Sequence, residues 1–245
     1  MRASTSATRT NTPTLAPRSP HAQVRRAANP PFGANIVIDD EAILEQYDLA
    51  AMWDRAADGS WSLRRDKNGK PVLQKSQPPE ILFIERCVQL LKRDTGRFAL
   101  VIPNGILNNP ALGYVRTWLM QNTQILAIVD MARELFQPKN DTQTSMVLAR
   151  RLSESERVTA AAGDLEYPIF MATTDRIGQD KRGNVLYRRT DSGEDILITR
   201  QETVAEIDAE TGEEILRTIE VQERQVDDEL PDVATAYLRW LGEQK

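Results

Sequence analysis

The clearest pattern along the chain begins at Pro78. Ile81, Leu82, Ile84, Cys87, Val88 and Leu91 recur at the spacing of one helix face, after a Pro78-Pro79 pair suited to a helix start. Thr95-Gly96 predicts the stop of that helix. Phe98-Ala99-Leu100-Val101-Ile102 is then an unbroken apolar run, as expected of a strand buried on both faces of a parallel sheet. It ends at Pro103-Asn104-Gly105, a polar turn at the carboxyl end of a strand, where open α/β sheets bind ligands. A second unit follows. Ala111 to Asn122 predicts a helix with Leu112, Val115, Trp118 and Leu119 inward, and Ile125 to Val129 predicts another buried strand closed by Asp130. A loop with Phe136, Gln137 and Pro138 leads to a third strand, Thr144 to Ala149. That connection is too short for a crossover helix, so antiparallel pairing is expected. The succession predicts an α/β fold, the second half of a doubly wound, Rossmann-like sheet.

The flanks are less regular. Residues 1–28 hold Thr, Ser, Pro, Ala and Arg without periodicity and read as a disordered basic arm. The composition loosely matches a transit peptide, but scattered prolines spoil an amphipathic helix, and a solvated tail is expected. Ile36-Val37-Ile38 precedes a short helical pattern over Glu41 to Met52, and Gly59, Gly69 and Pro71 mark turns beyond it. Trp53 and Trp61 are expected to cover a small local core, ahead of partner or base contacts.

After Arg151, Tyr167 to Met171 precedes a turn at Gly178 to Gly183. Val185-Leu186-Tyr187, Ile196-Leu197-Ile198 and Ile215 to Val221 are short strand-like or mixed segments between charges. From Pro231 a closing helix carries Val233, Ala236, Tyr237, Trp240 and Leu241. These residues read as an appended region with solvated charges and no catalytic shape. The expected organisation is an arm over 1–28, a partial catalytic domain over 29–152 and an appended region over 153–245.

Composition narrows the chemistry. Of 245 residues, 40% are hydrophobic and 27% charged, which suits a largely globular chain. No apolar run approaches the ~20 residues of a membrane span. The one cysteine, Cys87, permits no intramolecular disulfide, and its place on the helical stripe makes it a core residue. The one histidine, His21, lies in the arm, too few such ligands for a Cys/His zinc site. A Ser-His-Asp triad would need that same tail residue, so catalysis must rely on Asn, carboxylates, aromatics or backbone groups. Net charge is −5, yet no acidic residue precedes Asp39, while Arg2, Arg9, Arg18, Arg25 and Arg26 do. The remainder is an acidic body, which is a poor autonomous binder of the phosphate backbone.

One further stretch needs this context. In Asn29-Pro30-Pro31-Phe32-Gly33, Pro30 pushes Asn29 out of the helical region, and both prolines stiffen an extended backbone. Neither has an N–H, which leaves carbonyls and the Asn29 side chain to serve a flat ligand bearing an amino group.

The ordered set of Asn29-Pro30-Pro31-Phe32, the Pro79-Glu80-Ile81-Leu82-Phe83-Ile84-Glu85-Arg86 helix, the strand ending in Ile102-Pro103-Asn104-Gly105, and the Phe136 loop before Thr144 resembles adenine-specific N6 DNA methyltransferases. The likeness is to the modification subunits of type I restriction-modification systems, over about residues 29 to 242. It implies that Asn29, Pro30, Pro31 and Phe32 are catalytic and that Phe32 and Phe136 contact the target base. An adenine amine is a poor nucleophile because its lone pair is delocalised into the ring. Accepting its two N–H bonds, from the Asn29 side-chain oxygen and the Pro30 carbonyl, would free that lone pair to attack the methyl sulfonium of S-adenosylmethionine. Such acceptors supply preorganised electrostatics in place of a strong base. Phe32 would stack on a base flipped from the duplex, at an unstacking cost of a few kcal/mol.

The resemblance also implies S-adenosylmethionine as cofactor, no metal, double-stranded DNA with a specificity and a restriction subunit as partners, no membrane, and a cytoplasmic location. Two features depart from the family. Val24 to Ala28 read poorly as the strand that should present the Asn-Pro-Pro turn, and the arm before Asn29 has no glycine and no acidic residue to build the cofactor pocket. The expectation is therefore a back half lacking its cofactor half and inactive alone. The alternatives are a non-enzymatic module that binds a specificity subunit, a split enzyme, or methylation of a protein glutamine or an RNA base. A half-sheet would also expose the edge beside Phe98 to Ile102, from which poor solubility is expected.

Overall fold

The computed structural model describes residues 25–30, 36–207 and 213–244. Through them the chain runs β1 (Arg25–Ala28), α1 (Glu41–Leu44), β2 (Trp53–Arg55), β3 (Trp61–Leu63), α2 (Pro79–Gln89), β4 (Arg97–Pro103), α3 (Asn104–Asn108), α4 (Gly113–Asn122), β5 (Thr123–Asp130), β6 (Thr144–Arg151), α5 (Glu154–Ala162), β7 (Phe170–Thr173), β8 (Leu197–Ile207), β9 (Glu214–Arg224) and α6 (Leu230–Glu243).

Five strands form the main sheet in the order β1-β4-β6-β5-β7. β1 is parallel to β4 and β7 to β5, while β6 runs against both β4 and β5. Four strands therefore share one direction. The short loop after β5 forces β6 to enter from the carboxyl edge, and it wedges between β4 and β5.

Residues 25–28 overturn the expectation drawn from their composition. They pair in register with Arg97 to Leu100, so the strand that presents Asn29 exists after all. Parallel pairing is made by backbone groups, and an edge strand tolerates charged side chains that a central one would not. β1 also covers the edge beside Phe98 that was expected to lie open. The rest of the arm, with Pro31, Phe32 and Gly33, lies outside the described residues.

β4 differs from the expected doubly buried strand. Phe98, Leu100 and Ile102 are buried, whereas Ala99 and Val101 between them are half-buried. The buried row joins Val147 and Ala149 of β6 and Ile125 of β5 under α2 and α4, whose Ile81, Ile84, Cys87, Val88, Val115, Trp118 and Leu119 complete one core. α2 ends at Gln89, short of the Thr95-Gly96 stop that the sequence suggested. Trp53 and Trp61 lie against Tyr114, at 6.1 and 6.0 Å between ring centroids, and pack on this main core instead of a separate local one. The Trp61 indole lies so close to Gly113 that a Cβ there would be 2.4 Å from its ring nitrogen. The pattern over Glu41 to Met52 becomes α1 and one 3-10 turn, Asp48–Ala50.

Glu85 on α2 ties that turn to the core. It is only 3% exposed, and its carboxylate accepts from the Asp48 and Leu49 amides at 3.1 and 2.9 Å. Burial pushes its pKa from 4.5 up to about 7, against the opposing pull of those hydrogen bonds. An acid raised in the folded chain holds its proton longer than in the unfolded one. Its contribution is therefore full below about pH 4.5 and declines as pH rises to about 7. A loss of roughly 3 kcal/mol across that window is expected in denaturant titrations, and Glu85→Gln should flatten the curve there. An unchanged profile in the variant would contradict this.

The region after Arg151 adds two things to the sheet. β7 extends it beside β5, and Phe170 on β7 meets Tyr237 and Trp240 of α6 at 5.4 and 5.7 Å between centroids. α5 went unread in the sequence, although Ser153 and Glu156 form a reciprocal capping box and Gly163 closes the helix at φ 83°. The segments at Ile196 to Ile198 and Ile215 to Val221 belong to one long hairpin, β8 with β9, paired over eleven positions. Among the described residues, no helix is long and apolar enough to cross a membrane.

Candidate active site at the carboxyl edge of the sheet

β1, β4 and β5 all end at one edge of the sheet, and β6 starts there. Each apolar strand passes at that edge into polar residues. β1 releases Asn29, which is exposed, and Pro30, which is buried. β4 releases Asn104, β5 finishes at Asp130, and β6 opens with Thr144 and Ser145.

Of these, Asn104, Asp130 and Ser145 form a closed cluster. Asn104 Nδ2 donates to Asp130 Oδ1 at 2.7 Å, and Ser145 Oγ donates to Asn104 Oδ1 at 2.7 Å. Gln143 Nε2 reaches Asp130 Oδ2 at 3.3 Å, and the Asn104 amide donates to the Gln143 carbonyl at 3.0 Å. Both ends of the Asn104 amide are thereby fixed. The cluster stands between the Asn29 turn and the loop after β5, and strand spacing puts β1 and β5 about 14 Å apart. Phe136 ends a 3-10 turn, Arg133–Phe136, in that loop and is half-buried. The structure places Asn29, Pro30 and Phe136 at one edge of the sheet, and Pro31 and Phe32 lie outside the described residues.

Residues 28–136 match the Eco57I restriction-modification methylase family. The methylase segment opens one residue before Asn29 and closes on Phe136, so it contains Asn29, Pro30, Asn104, Asp130 and Phe136 but not Gln143 or Ser145. No curated protein matches the chain. Among solved structures, a protein from Vibrio vulnificus YJ016 assigned as the modification subunit of a type I restriction enzyme is 16% identical. It overlaps 70% of this chain and 36% of its own, at a TM-score of 0.37. A Listeria monocytogenes protein assigned as a class I S-adenosylmethionine-dependent methyltransferase is also 16% identical, over 42% of this chain and 28% of that one, at 0.33. A chain from a type I restriction-modification complex is 23% identical over 37% of this chain and 19% of that one, at 0.29. The chain therefore spans about a third or less of these proteins, and the loose overlaps add nothing to what the methylase segment and its geometry carry.

The described residues of the methylase segment do not fit a cofactor pocket. Asp130, the acidic residue that closes β5, is committed to Asn104, Ser145 and Gln143. Asn104 and Asp130 were legible as strand-end polar residues. Ser145 was not, because its role depends on β6 lying between β4 and β5.

Proposed function

We propose that this chain forms the target-base side of an adenine-specific N6 DNA methyltransferase that uses S-adenosylmethionine, within the modification subunit of a type I restriction-modification system. The observation that carries the proposal is Asn29-Pro30 leaving the carboxyl end of β1 at the head of the methylase segment. Asn29 Oδ1 and the Pro30 carbonyl accept the two N–H bonds of the adenine amine. Pro31 stiffens the turn, and Phe32 and Phe136 stack on the flipped base. Its partners are double-stranded DNA in the cytoplasm, a specificity subunit and a restriction subunit, and the acidic body leaves most of the phosphate contacts to the other subunits.

A split enzyme, with the cofactor half in a separate chain, is the second reading. It is favoured by the sheet face opposite α2. There Ala99, Val101, Met146 and Leu148 make a half-buried apolar patch across β4 and β6 that another element would cover. The test is methyl transfer from labelled S-adenosylmethionine to duplex DNA, with calorimetry of the cofactor. The chain alone should neither methylate nor bind the cofactor in the micromolar range. Joined to a cofactor-binding partner and a specificity subunit, it should produce N6-methyladenine. Micromolar binding by the chain alone would refute the missing-cofactor half of the proposal, and methyl on cytosine or protein would refute the substrate.

A further inference from the structure

Resting on the reading of Phe136 as a base contact, we infer that Gln179, in the region after the methylase segment, is a positioning residue for that contact. Its Nε2 donates to the carbonyls of Glu134 at 2.7 Å, Leu135 at 3.2 Å and Gln137 at 3.4 Å. The 3-10 turn that carries Phe136 ends within these residues, and its Glu134 carbonyl also accepts from the Gln137 amide at 3.1 Å, so Gln179 adds an outside donor to the carbonyls there. One side-chain amide gathers them from outside, on both sides of Phe136 in sequence.

The strip that delivers Gln179 is built to be stiff. Gly178 has φ 80°, and a Cβ there would lie 2.5 Å from Val226 Cγ1, so only glycine lets the backbone pass this close. Its amide donates to the Asp227 carbonyl at 2.9 Å. Glu229 accepts from the Asp175 and Arg176 amides at 2.8 and 3.1 Å and also pairs with the Arg176 guanidinium at 2.6 Å. Beyond Gln179, Asp180 Oδ1 accepts from the amides of Arg182 and Asn184 at 2.8 and 2.9 Å and closes a tight turn.

The strip touches the loop in two more places. The buried Thr174 hydroxyl accepts from the Ala132 amide at 3.2 Å at the start of the loop. Gly183 approaches Pro138 at its far side, where a Cβ would be 3.4 Å from Pro138 Cδ. Residues 174–183 therefore hold the loop at its start, middle and end. A stacking ring works only where it meets the base face, and displacement of a substrate-contacting group by an ångström can cost about a hundredfold in rate. The region that reads in the sequence as solvated and without catalytic shape thus sets where the aromatic stands.

The test uses the full chain, two readouts and two variants. Gln179→Glu keeps the shape but replaces both N–H bonds with an oxygen facing three carbonyls, while Gln179→Lys restores a donor at similar reach. Amide exchange at Leu135, Gln137 and Asn140 should quicken several-fold in the Glu variant, recover in the Lys variant, and stay unchanged at Val129 and Val147. Binding of a single-stranded dA oligonucleotide carrying one 2-aminopurine, followed by its fluorescence, should weaken about tenfold in Phe136→Ala and in Gln179→Glu, the scale of one base–aromatic stack, and recover in Gln179→Lys. Exchange that is equal in all variants, or oligonucleotide binding lost in Phe136→Ala yet kept in Gln179→Glu, overturns the positioning role. Binding indifferent to Phe136→Ala overturns the base-contact reading instead, and the positioning role falls with it.

Discussion

In an assembly that methylates DNA through this chain, Asn29→Ala is expected to lower the transfer rate by about 10²–10³-fold, the scale set by loss of one preorganised hydrogen-bonding group, an oxyanion-hole donor, in other enzymes. Asn29 is exposed at the end of an edge strand, so its truncation should leave stability and DNA affinity nearly unchanged. Asn29→Asp retains an acceptor oxygen and should keep part of the rate. Single-turnover methylation with saturating DNA separates the chemical step from binding. A full wild-type rate in Asn29→Ala would remove Asn29 from the reaction.

Phe98→Ala should cost about 3–5 kcal/mol of folding stability, a large share of the 5–15 kcal/mol typical of a domain. Phe98 is 2% exposed near the start of β4, paired to Ala149 of β6 on one side and to Arg26 of β1 on the other. No small neighbour there can fill the void, since Ala149 is already minimal and β1 contributes only a short edge. Urea titration measures the loss. A change below about 1 kcal/mol would mean that the site collapses around the missing ring, at odds with a close-packed core.

How much of this was legible without the fold depends on the range of the interaction. α2, β4, α4, β5 and β6 could be read because each is announced by its own periodicity within a dozen residues, and α5 could have been read from its capping box. Asn29 to Phe32 could be singled out because two prolines constrain the backbone locally. By contrast, β1 carries Arg25-Arg26 and no strand signal of its own, and it becomes a strand only where β4 offers parallel backbone partners. The Ser145 hydroxyl joins Asn104, 41 residues away, and Gln179 reaches Glu134, 45 residues away, pairings that no local pattern encodes.

The sequence by itself determined the order of the α/β units, the inward stripe of α2 and the presence of a rigid, amide-bearing turn. Those follow from hydrophobic spacing and from proline, which act over a few residues. Only the tertiary structure decided that the turn leaves a real strand, that an Asn104–Asp130–Ser145 cluster stands between it and Phe136, and that the C-terminal region holds the Phe136 loop. Such contacts depend on strand order and on which backbone groups are left unpaired when the sheet closes, and both are properties of the assembled chain.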